Sequence, residues 1–219
     1  MKLYFHPLAC ALATRIALYE AGTDAEFVQV DSKTKLTLAG ADFRRINPLG
    51  MVPALQLDSG EIICENAAVL QYVARRSPSA HLAPTDDIGQ ARLQQLLCFI
   101  GTELHKLIYV PLMDPAAPDS AKEYALGKAA LRFGWLNERL RDRRYLLGDF
   151  SIADAYLFAV LNWTIVTPLQ LDPFPAIQAF RQRMLERPAV ARAFQEELTL
   201  YREEQARKGQ PLPPALAAS

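Results

Sequence analysis

The first side chain with reactive potential is the thiol of Cys10, which follows an apolar segment and the His6-Pro7 pair. This position corresponds to the first turn of a predicted helix, where free amides and the positive end of the helix dipole stabilise an anion. We therefore expect a lowered thiol pKa and a reactive thiolate. The alternative is a small buried apolar residue, the common role of a free cysteine. Position 13 is Ala13, which excludes a Cys-x-x-Cys redox pair at this site.

A second candidate is His105, because an imidazole titrates near neutral pH and can transfer protons. It lies in a long segment of helical periodicity, where a histidine is equally compatible with a structural role. His6, His81 and His105 do not have the spacing of metal ligands, so we expect no metal site. The sequence contains no phosphate-loop, dinucleotide-binding, serine-hydrolase or zinc-protease motif.

A proline at position 53 follows a turn that contains Gly50 and precedes a predicted strand. An X-Pro bond of this kind can be cis, although most are trans. A cis Val52-Pro53 bond would turn the backbone groups of Val52 outward, where they could pair with an extended peptide. Considered alone, the segment is also compatible with a trans proline in a loop.

The elements that would position these groups fall into two halves. Residues 1–80 predict the order βαβαββα, with an irregular third element before Ile46 and with Asn66 as the N-cap of the last helix. Residues 77–86 contain two prolines and form a linker. Residues 87–206 have only helical periodicity, which predicts an all-α bundle with Trp135 on an apolar face. Residues 207–219 contain three prolines and are expected to form a mobile tail.

One helix of the second half begins with the sequence Phe150-Ser151-Ile152-Ala153-Asp154. The Ser151–Asp154 spacing is that of a capping box, in which each side chain satisfies a backbone amide near the other residue. We interpret this motif as structural and not as a catalytic pair.

Composition narrows the possible partners and compartment. The chain has 219 residues, 51% of them apolar, and 24 basic residues balance 24 acidic ones. No basic surplus is available for a polyanion, and no apolar run approaches the roughly 20 residues that cross a bilayer, so neither nucleic acid nor membrane is an expected partner.

The start of the chain weakly mimics a signal peptide, but His6-Pro7 interrupts it and we interpret it as mature protein. Three widely spaced cysteines (Cys10, Cys64 and Cys98) predict reduced thiols in a cytoplasmic protein.

Five motifs together resemble those of cytosolic glutathione S-transferases. They are the Cys10 context, the segment from Asn47 to Leu55, the segment Glu65–Tyr72, the segment Thr102–Lys106 and the capping-box segment from Phe150 to Ala155. The first and fourth of these are similar to the bacterial beta class, and the match spans about residues 1–200. The resemblance implies a thioredoxin-like N-terminal domain, an all-helical C-terminal domain and a homodimer that binds glutathione.

The resemblance also implies a role for individual residues. A cis Pro53 would let the Val52 backbone pair with the cysteinyl part of glutathione, and Glu65 and Asn66 would hold its γ-glutamyl end. Lys35 would meet the glycyl carboxylate, and Glu103 of the partner subunit would approach the γ-glutamyl amine. The catalytic pair would be Cys10 and His105, on either side of the glutathione sulfur. The candidate walls of an apolar substrate pocket are Leu8, Ile108, Tyr109 and Trp163.

Three positions depart from the family pattern. Asn66 stands where serine is usual, Cys98 stands where an asparagine often reaches across the dimer, and Leu49 stands where relatives often carry lysine.

The resulting hypothesis is an enzyme that adds the glutathione thiolate to an electrophilic, mostly apolar small molecule. Two alternatives are glutathione-dependent thiol exchange with Cys10 as the single nucleophile and a non-catalytic binding protein on the same fold. The charged side chains of Lys35, Glu65 and Glu103 argue against the non-catalytic binding protein, because a site that has lost its function has no reason to keep complementary charges.

Overall fold

The computed structural model describes residues 1–217 and forms two packed domains. The N-terminal domain is a four-stranded mixed sheet in the order β2-β1-β3-β4, in which β1 pairs in parallel with β2 and antiparallel with β3. The strands are β1 (Lys2–Phe5), β2 (Glu26–Gln29), β3 (Ala54–Gln56) and β4 (Ile62–Cys64). Two helices, α1 (Leu12–Glu20) and α2 (Asn66–Arg76), complete this domain. The predicted thioredoxin-like arrangement is confirmed.

Glycines permit the two tightest turns of this domain. Gly22 follows Ala21, the C-cap of α1, with a φ of +60°, the left-handed conformation that commonly ends a helix. Gly60 has a φ of +91° in the turn between β3 and β4, where its amide donates to the Leu57 carbonyl at 2.9 Å. These turns place α1 and the β3–β4 hairpin next to β1.

The segment between β2 and β3 differs in detail from the expected irregular helix. Only Phe43–Arg45 is helical there, as a single 3₁₀ turn capped by the side chain of Asp42. Phe43 is buried with Tyr4, Val30 and Ala54 in a small core on the face of the sheet remote from the helices. One buried aromatic ring therefore anchors the segment.

The C-terminal domain contains only helices among its described residues. They are α3 (Asp87–Met113), α4 (Asp119–Leu140), α5 (Ile152–Leu161), α6 (Pro175–Leu185), α7 (Pro188–Lys208) and α8 (Pro214–Ala217). The all-α bundle is therefore confirmed. Of the expected mobile tail, Arg207 and Lys208 are the last two residues of α7, Pro214–Ala217 form α8, and the side chain of Leu216 is buried. Residues 218–219 of that tail lie outside the described residues.

Helix α3 contains a proline and a change of winding. It continues through Pro111 to Met113, and its Ile100–Tyr109 portion is π-helical. By length and apolar composition alone, with a mean hydropathy of 1.4 over one window, this helix could cross a membrane. Its fully buried residues, which include Leu97, Leu104 and Ile108, instead belong to the protein core, and its π-helical portion packs against α4 and α5.

Helix α4 exposes a residue that periodicity placed on its apolar face. Trp135 is 41% exposed and stacks on Phe99 of α3 at 4.6 Å between ring centroids, outside the main core. The helix therefore has a second apolar face, which periodicity alone does not distinguish from the core-facing one.

The two domains share one continuous hydrophobic core. Helix α1 packs against α5 and α7, and its buried apolar residues join those of the helical domain in a single cluster. Charged groups reinforce this contact, because Arg187 donates two hydrogen bonds to Glu20, each at 2.8 Å. The domain boundary is consequently a packed surface that can hold a site in a fixed geometry.

Candidate active site

The loop between β1 and α1 carries Cys10 at the edge of the sheet. Cys10 lies two residues before the first helical residue, Leu12, and is buried. Its Sγ donates to the carbonyl oxygen of Val52 at 3.4 Å. The thiol is therefore held against the loop that precedes β3.

The prediction of a lowered thiol pKa is wrong. Burial raises the pKa of Cys10 to about 12, although the positive charge of Lys106 and a backbone hydrogen bond act in the opposite direction. Desolvation penalises a thiolate more strongly than the nearby amide dipoles favour it. In the ligand-free protein Cys10 is thus a neutral thiol that can donate a hydrogen bond.

The loop before β3 contains the cis proline bond that its sequence allowed. The Val52-Pro53 bond is cis, and the side-chain amide of Asn47 donates to the Met51 carbonyl at 2.7 Å. The Lys35 side chain lies along this loop, because a Cβ built on Gly50 would be 3.3 Å from its Cδ. Lys35 and Val52 are thereby brought to the same side of the domain.

The start of α2 provides the next pair of polar residues. Glu65 occupies the N-cap position, where sequence analysis expected Asn66, and its φ of +66° is unusual for a residue with a side chain. Asn66 is instead the first helical residue and is buried, and its Oδ1 accepts from Thr14 Oγ1 at 3.2 Å. Its Nδ2 has no hydrogen-bond partner among the described residues. A free amide donor and an exposed carboxylate therefore meet at a helix N-terminus, where the dipole also favours an anion.

His105 lies in the π-helical portion of α3, in the helical domain. Its Nδ1 lies 2.9 Å from the hydroxyl of Tyr156 on α5, and its ring contacts the Trp163 ring at 4.8 Å. Burial, assisted by Lys106, lowers the pKa of His105 to about 4. The imidazole is therefore neutral at neutral pH and carries its proton on one nitrogen only.

Tyr156 is a member of the site that sequence analysis missed. Burial raises the pKa of its phenol, so the hydroxyl keeps its proton. The phenol also lies close enough to Cys10 and Asn66 for both to affect its pKa, so it stands next to residues of the N-terminal domain. In the sequence it stands in an unbroken buried stretch of α5, so nothing local distinguishes it from a packing residue.

The helical domain also holds the backbone of the Cys10 loop. The Leu8 amide donates to Glu197 Oε2 at 2.7 Å, and Trp163 Nε1 donates to the Leu8 carbonyl at 2.8 Å. Leu8 has a φ of +60°, an uncommon conformation for a side chain of this size. Arg15 forms an ion pair with Glu197 at 3.0 Å, and both side chains are buried. Arg15 and Glu197 lie about 180 positions apart in the sequence, so no local pattern could reveal the pair.

Comparison with known proteins identifies the family. Residues 1–75 match the family model of the glutathione S-transferase N-terminal domain, and residues 101–188 match that of the C-terminal domain. The chain belongs to the glutathione S-transferase family. The N-terminal match contains Cys10, Lys35, Val52, Glu65 and Asn66, and the C-terminal match contains His105 and Tyr156.

Individual relatives support the same conclusion and the resemblance to the beta class. Glutathione S-transferase GstA of Escherichia coli O157:H7 is 41% identical over 90% of this chain and 98% of its own length. A sphingomonad glutathione S-transferase solved with glutathione is 42% identical, with a TM-score of 0.85 over 90% of this chain and 98% of that one. The beta-class enzyme of Sphingomonas chungbukensis is 41% identical, with a TM-score of 0.86 and the same coverage.

The four residues that the resemblance implied as walls of an electrophile pocket differ in exposure. Leu8 and Trp163 are joined by the hydrogen bond between them, and the Tyr109 ring contacts the Trp163 ring at 5.5 Å between centroids. Ile108 and Tyr109 are fully buried in the helical core. The assignment of the four residues to a pocket wall stays a prediction.

Glu103 forms an ion pair with a residue of α4 in its own chain. Its Oε2 accepts from Arg132 Nη2 at 2.7 Å and from Nε at 2.9 Å. Its expected contact with the γ-glutamyl amine bound by a second subunit stays a prediction. Within residues 1–217 no cluster of side chains suited to a metal ion is present.

Proposed function

We propose that this protein binds glutathione in the cleft between its domains and transfers the glutathione thiolate to an electrophilic, mostly apolar small molecule. The observation that carries the proposal is that Cys10 and Val52 of two loops, Asn66 at the start of α2 and His105 of α3 are linked through the Cys10–Val52 hydrogen bond and through Tyr156. The relatives support it, since one is named a glutathione S-transferase and another was solved with glutathione.

The N-terminal domain binds the tripeptide through charge and backbone. Lys35 meets the glycyl carboxylate, and the backbone of Val52 pairs with the cysteinyl unit as an added strand would. The γ-glutamyl carboxylate accepts hydrogen bonds from the side-chain amide of Asn66 and from the N-terminus of α2, while the γ-glutamyl amine donates to Glu65. The charges of glutathione and of the site are complementary at both ends.

The two catalytic groups stabilise the sulfur anion by hydrogen bonding. Cys10 is a neutral thiol and therefore donates, without itself being the nucleophile. When Tyr156 donates to Nδ1 of His105, the imidazole proton lies on Nε2, from which it can donate to sulfur. The charge of Lys106 favours an anion here. The thiol proton leaves to solvent, a carbon–sulfur bond forms, and the electrophile's leaving group departs with its electron pair.

Thiol exchange is the second candidate, and one observation favours it: a cysteine thiol lies within the site. In that reaction the Cys10 thiolate attacks the glutathione sulfur of a mixed disulfide, the S–S bond breaks and the substrate leaves as its thiol. Because position 13 is Ala13, a second glutathione then attacks the Cys10–glutathione disulfide, which releases Cys10 and forms oxidised glutathione. Its raised pKa argues against an efficient nucleophile, since the attacking species is the thiolate. Conjugation is the better supported reaction.

Turnover of one aryl chloride and one glutathione mixed disulfide by wild type and Cys10→Ala separates the two reactions. Loss of a weak thiol donor should slow conjugation about tenfold or less, equivalent to about 1.4 kcal/mol. Exchange, if wild type catalyses it, should be abolished, and Cys10→Ser should restore conjugation only. A wild type that neither binds glutathione by calorimetry nor turns over either substrate would refute the proposal. Equal collapse of both reactions in Cys10→Ala would refute the helper role of Cys10.

We further propose that the transferase is a cytoplasmic homodimer that uses the outer face of α4. Tyr124, Leu131 and Trp135 form an exposed apolar stripe there, with Leu131 74% exposed. Glu103 and Arg132 lie in the same region, so the partner subunit can bring Glu103 to the γ-glutamyl amine. Leu131→Glu should yield monomers in sedimentation and weaken glutathione binding. A monomeric wild type would refute the arrangement. Three free thiols are consistent with a reducing compartment.

A further inference from the structure

The loop that carries Lys35 is built around the side chain of Asp31. Asp31 Oδ1 accepts hydrogen bonds from the Lys33 amide at 2.9 Å and from the amide and hydroxyl of Thr34, at 2.7 Å and 3.1 Å. The backbone of Asp31 closes the loop, because its carbonyl accepts from the Lys35 amide at 3.0 Å and its amide donates to the Leu36 carbonyl at 2.8 Å. This loop therefore depends on the position of one carboxylate.

Lys35 itself has an uncommon backbone conformation. Its φ of +61° lies in the left-handed region, which a residue with a side chain occupies only where surrounding bonds hold it there. Two of these bonds are made by its own backbone, since its amide donates to Asp31 and its carbonyl accepts from the Phe43 amide at 2.9 Å. A change that releases Asp31 would therefore also release the direction of the Lys35 side chain.

The second carboxylate oxygen of Asp31 is held by the end of α7. Lys208 is the last residue of that helix, and its Nζ forms one ion pair with Asp31 Oδ2 at 2.6 Å and another with Glu204. The hydrogen bond from Lys208 keeps the pKa of Asp31 well below its usual range, so this carboxylate is charged at neutral pH. The helical domain thus holds the Lys35 loop through a single ammonium group.

Glu204 fixes this end of α7 against the N-terminal domain. Its side chain is only 3% exposed, and its Oε2 accepts from the side-chain amide of Gln29, the last residue of β2, at 3.0 Å. The same oxygen lies 3.6 Å from His6 Nδ1, in the loop between β1 and α1 that also carries Cys10. A buried carboxylate is costly without such partners. The last turn of α7 is therefore anchored where the loops of Cys10 and Lys35 leave the sheet.

We propose that the last turn of α7 positions Lys35 for the glycyl carboxylate of glutathione, through the ion pair between Lys208 and Asp31. Both members of the pair are positioning residues, because they act through Lys35. Lys208 and Glu204 lie beyond residues 101–188, which match the C-terminal family model, so the role follows from contacts of this chain and from no matched motif. The inference rests on the proposed function, in which Lys35 meets that carboxylate.

Glutathione ethyl ester, in which the glycyl carboxylate is neutral, isolates the contribution of Lys35. Calorimetry gives the Kd of the ester and the Kd of glutathione, and the first divided by the second is the discrimination ratio. The ratio should be about ten or more in wild type, because the ester loses a charge-assisted hydrogen bond, and about one in Lys35→Ala. A general loss of folded protein weakens both ligands equally and leaves the ratio unchanged.

Substitutions in the last turn of α7 test the inference. Lys208→Met should lower the discrimination ratio about threefold or more, since part of the Lys35 contribution is lost. Lys208→Arg keeps a cation that can pair with Asp31 and should preserve most of the ratio. The matched control is Arg207→Met, because Arg207 lies in the same turn and pairs within its own helix, with Glu203 at 4.0 Å. The control should have the wild-type ratio.

Asp31→Asn distinguishes positioning from a direct effect of charge. Asparagine keeps an oxygen that can accept from the Lys33 and Thr34 amides but loses the charge that pairs with Lys208. Loss of positioning lowers the discrimination ratio. Removal of a negative charge near Lys35 would by itself favour the glycyl carboxylate and raise the ratio. A raised or unchanged ratio in Asp31→Asn would overturn the inference, and so would a wild-type ratio in Lys208→Met.

The same titrations separate this inference from the proposed function. A wild type that does not bind glutathione would refute both. A wild type that binds glutathione and its ester equally would overturn the inference, because Lys35 would then not meet the glycyl carboxylate, but it would leave conjugation standing. If Lys35→Ala loses the discrimination while Lys208→Met and Asp31→Asn keep it, only the positioning role fails.

Discussion

The N-terminal domain and the helical domain contribute to the active site in different ways. In the N-terminal domain, Val52, Glu65 and Asn66 occupy short loops and a helix start, so neighbouring residues in the sequence determine their geometry. In the helical domain, His105 and Glu197 act through partners that are distant in sequence. The glutathione-binding side is therefore a set of local motifs, while the other side is a product of packing between helices.

The difference has an electrostatic counterpart. The polar groups of the N-terminal side are exposed or lie at a helix N-terminus, where an incoming anion is favoured. On the helical side burial dominates: it lowers the pKa of His105 to about 4 and raises the pKa of Glu197 to about 7. Substitutions on this side should therefore change stability, while substitutions on the N-terminal side should mainly change ligand affinity.

The largest effect is expected for Glu197→Ala. The change leaves Arg15 buried without its inner partner and the Leu8 amide without its acceptor. Removal of one member of a buried pair typically costs about 3–5 kcal/mol of unfolding free energy. Urea denaturation measures this loss. The matched control is Glu196→Ala, whose carboxylate also bonds Arg15 but is 37% exposed, and it should cost about 1 kcal/mol or less. Equal losses would contradict the importance of the buried pair.

His105→Gln tests the electrostatic difference through pH. The folded-state pKa of about 4 is below the usual 6.5, so between these values the unfolded chain binds more protons. Protonation of His105 in the unfolded chain therefore lowers the free energy of unfolding of wild type as the pH drops from 6.5 to 4, by about 3 kcal/mol in total. The glutamine variant lacks that loss, while other titrating groups cancel in the difference.

Denaturation of both proteins at a series of pH values gives the free energy of unfolding of each. As the pH falls to 4, the free energy of unfolding of the variant should increase relative to that of wild type by most of this amount. A difference that is independent of pH would show that His105 is not held neutral by burial.

Lys35→Ala should affect binding without affecting stability. A charge-assisted hydrogen bond contributes about 1.5–3 kcal/mol, so the Kd for glutathione should rise about tenfold or more. Lys33→Ala is the control, because Lys33 is an exposed lysine in the same segment. Calorimetry gives both affinities, and urea denaturation should give nearly equal midpoints. An unchanged Kd for Lys35→Ala would remove this residue from the site.

Features of the N-terminal domain that depend on neighbouring residues were predicted well from the sequence. The strands and helices of the N-terminal domain follow the predicted order apart from the segment before Ile46, and the Val52-Pro53 bond is cis. Each of these depends on a few consecutive residues. The roles of Lys35 and Glu65 stay predictions. The start of α2 was displaced by one position, because Asn is a good cap in isolation while here Glu65 takes the strained position and Asn66 bonds Thr14.

The errors concern properties that depend on burial. The pKa of Cys10 was predicted from the helix dipole, but burial outweighs the dipole and raises the pKa. Ile108 and Tyr109 were named for a pocket wall from the family resemblance, and both are fully buried. Tyr156 lies in an apolar stretch with no local signal. A single sequence contains no direct information on which distant residues enclose a side chain.

The smallest effect is expected at the capping box of α5, a motif that is local although it lies in the helical domain. Asp154 accepts from the Ser151 amide and hydroxyl, each at 2.9 Å, and from the Leu146 amide at 2.8 Å. Ser151→Ala removes only the hydroxyl, so the two amides still bond the carboxylate. The expected cost is about 0.5–2 kcal/mol, seen as a lower Tm, and Ser151→Thr should recover most of it. Glutathione affinity and turnover per folded molecule should not change, because the box makes no contact with Cys10 or His105. A selective loss of turnover at unchanged Tm would instead show that this helix start transmits its geometry to Tyr156, two residues beyond Asp154.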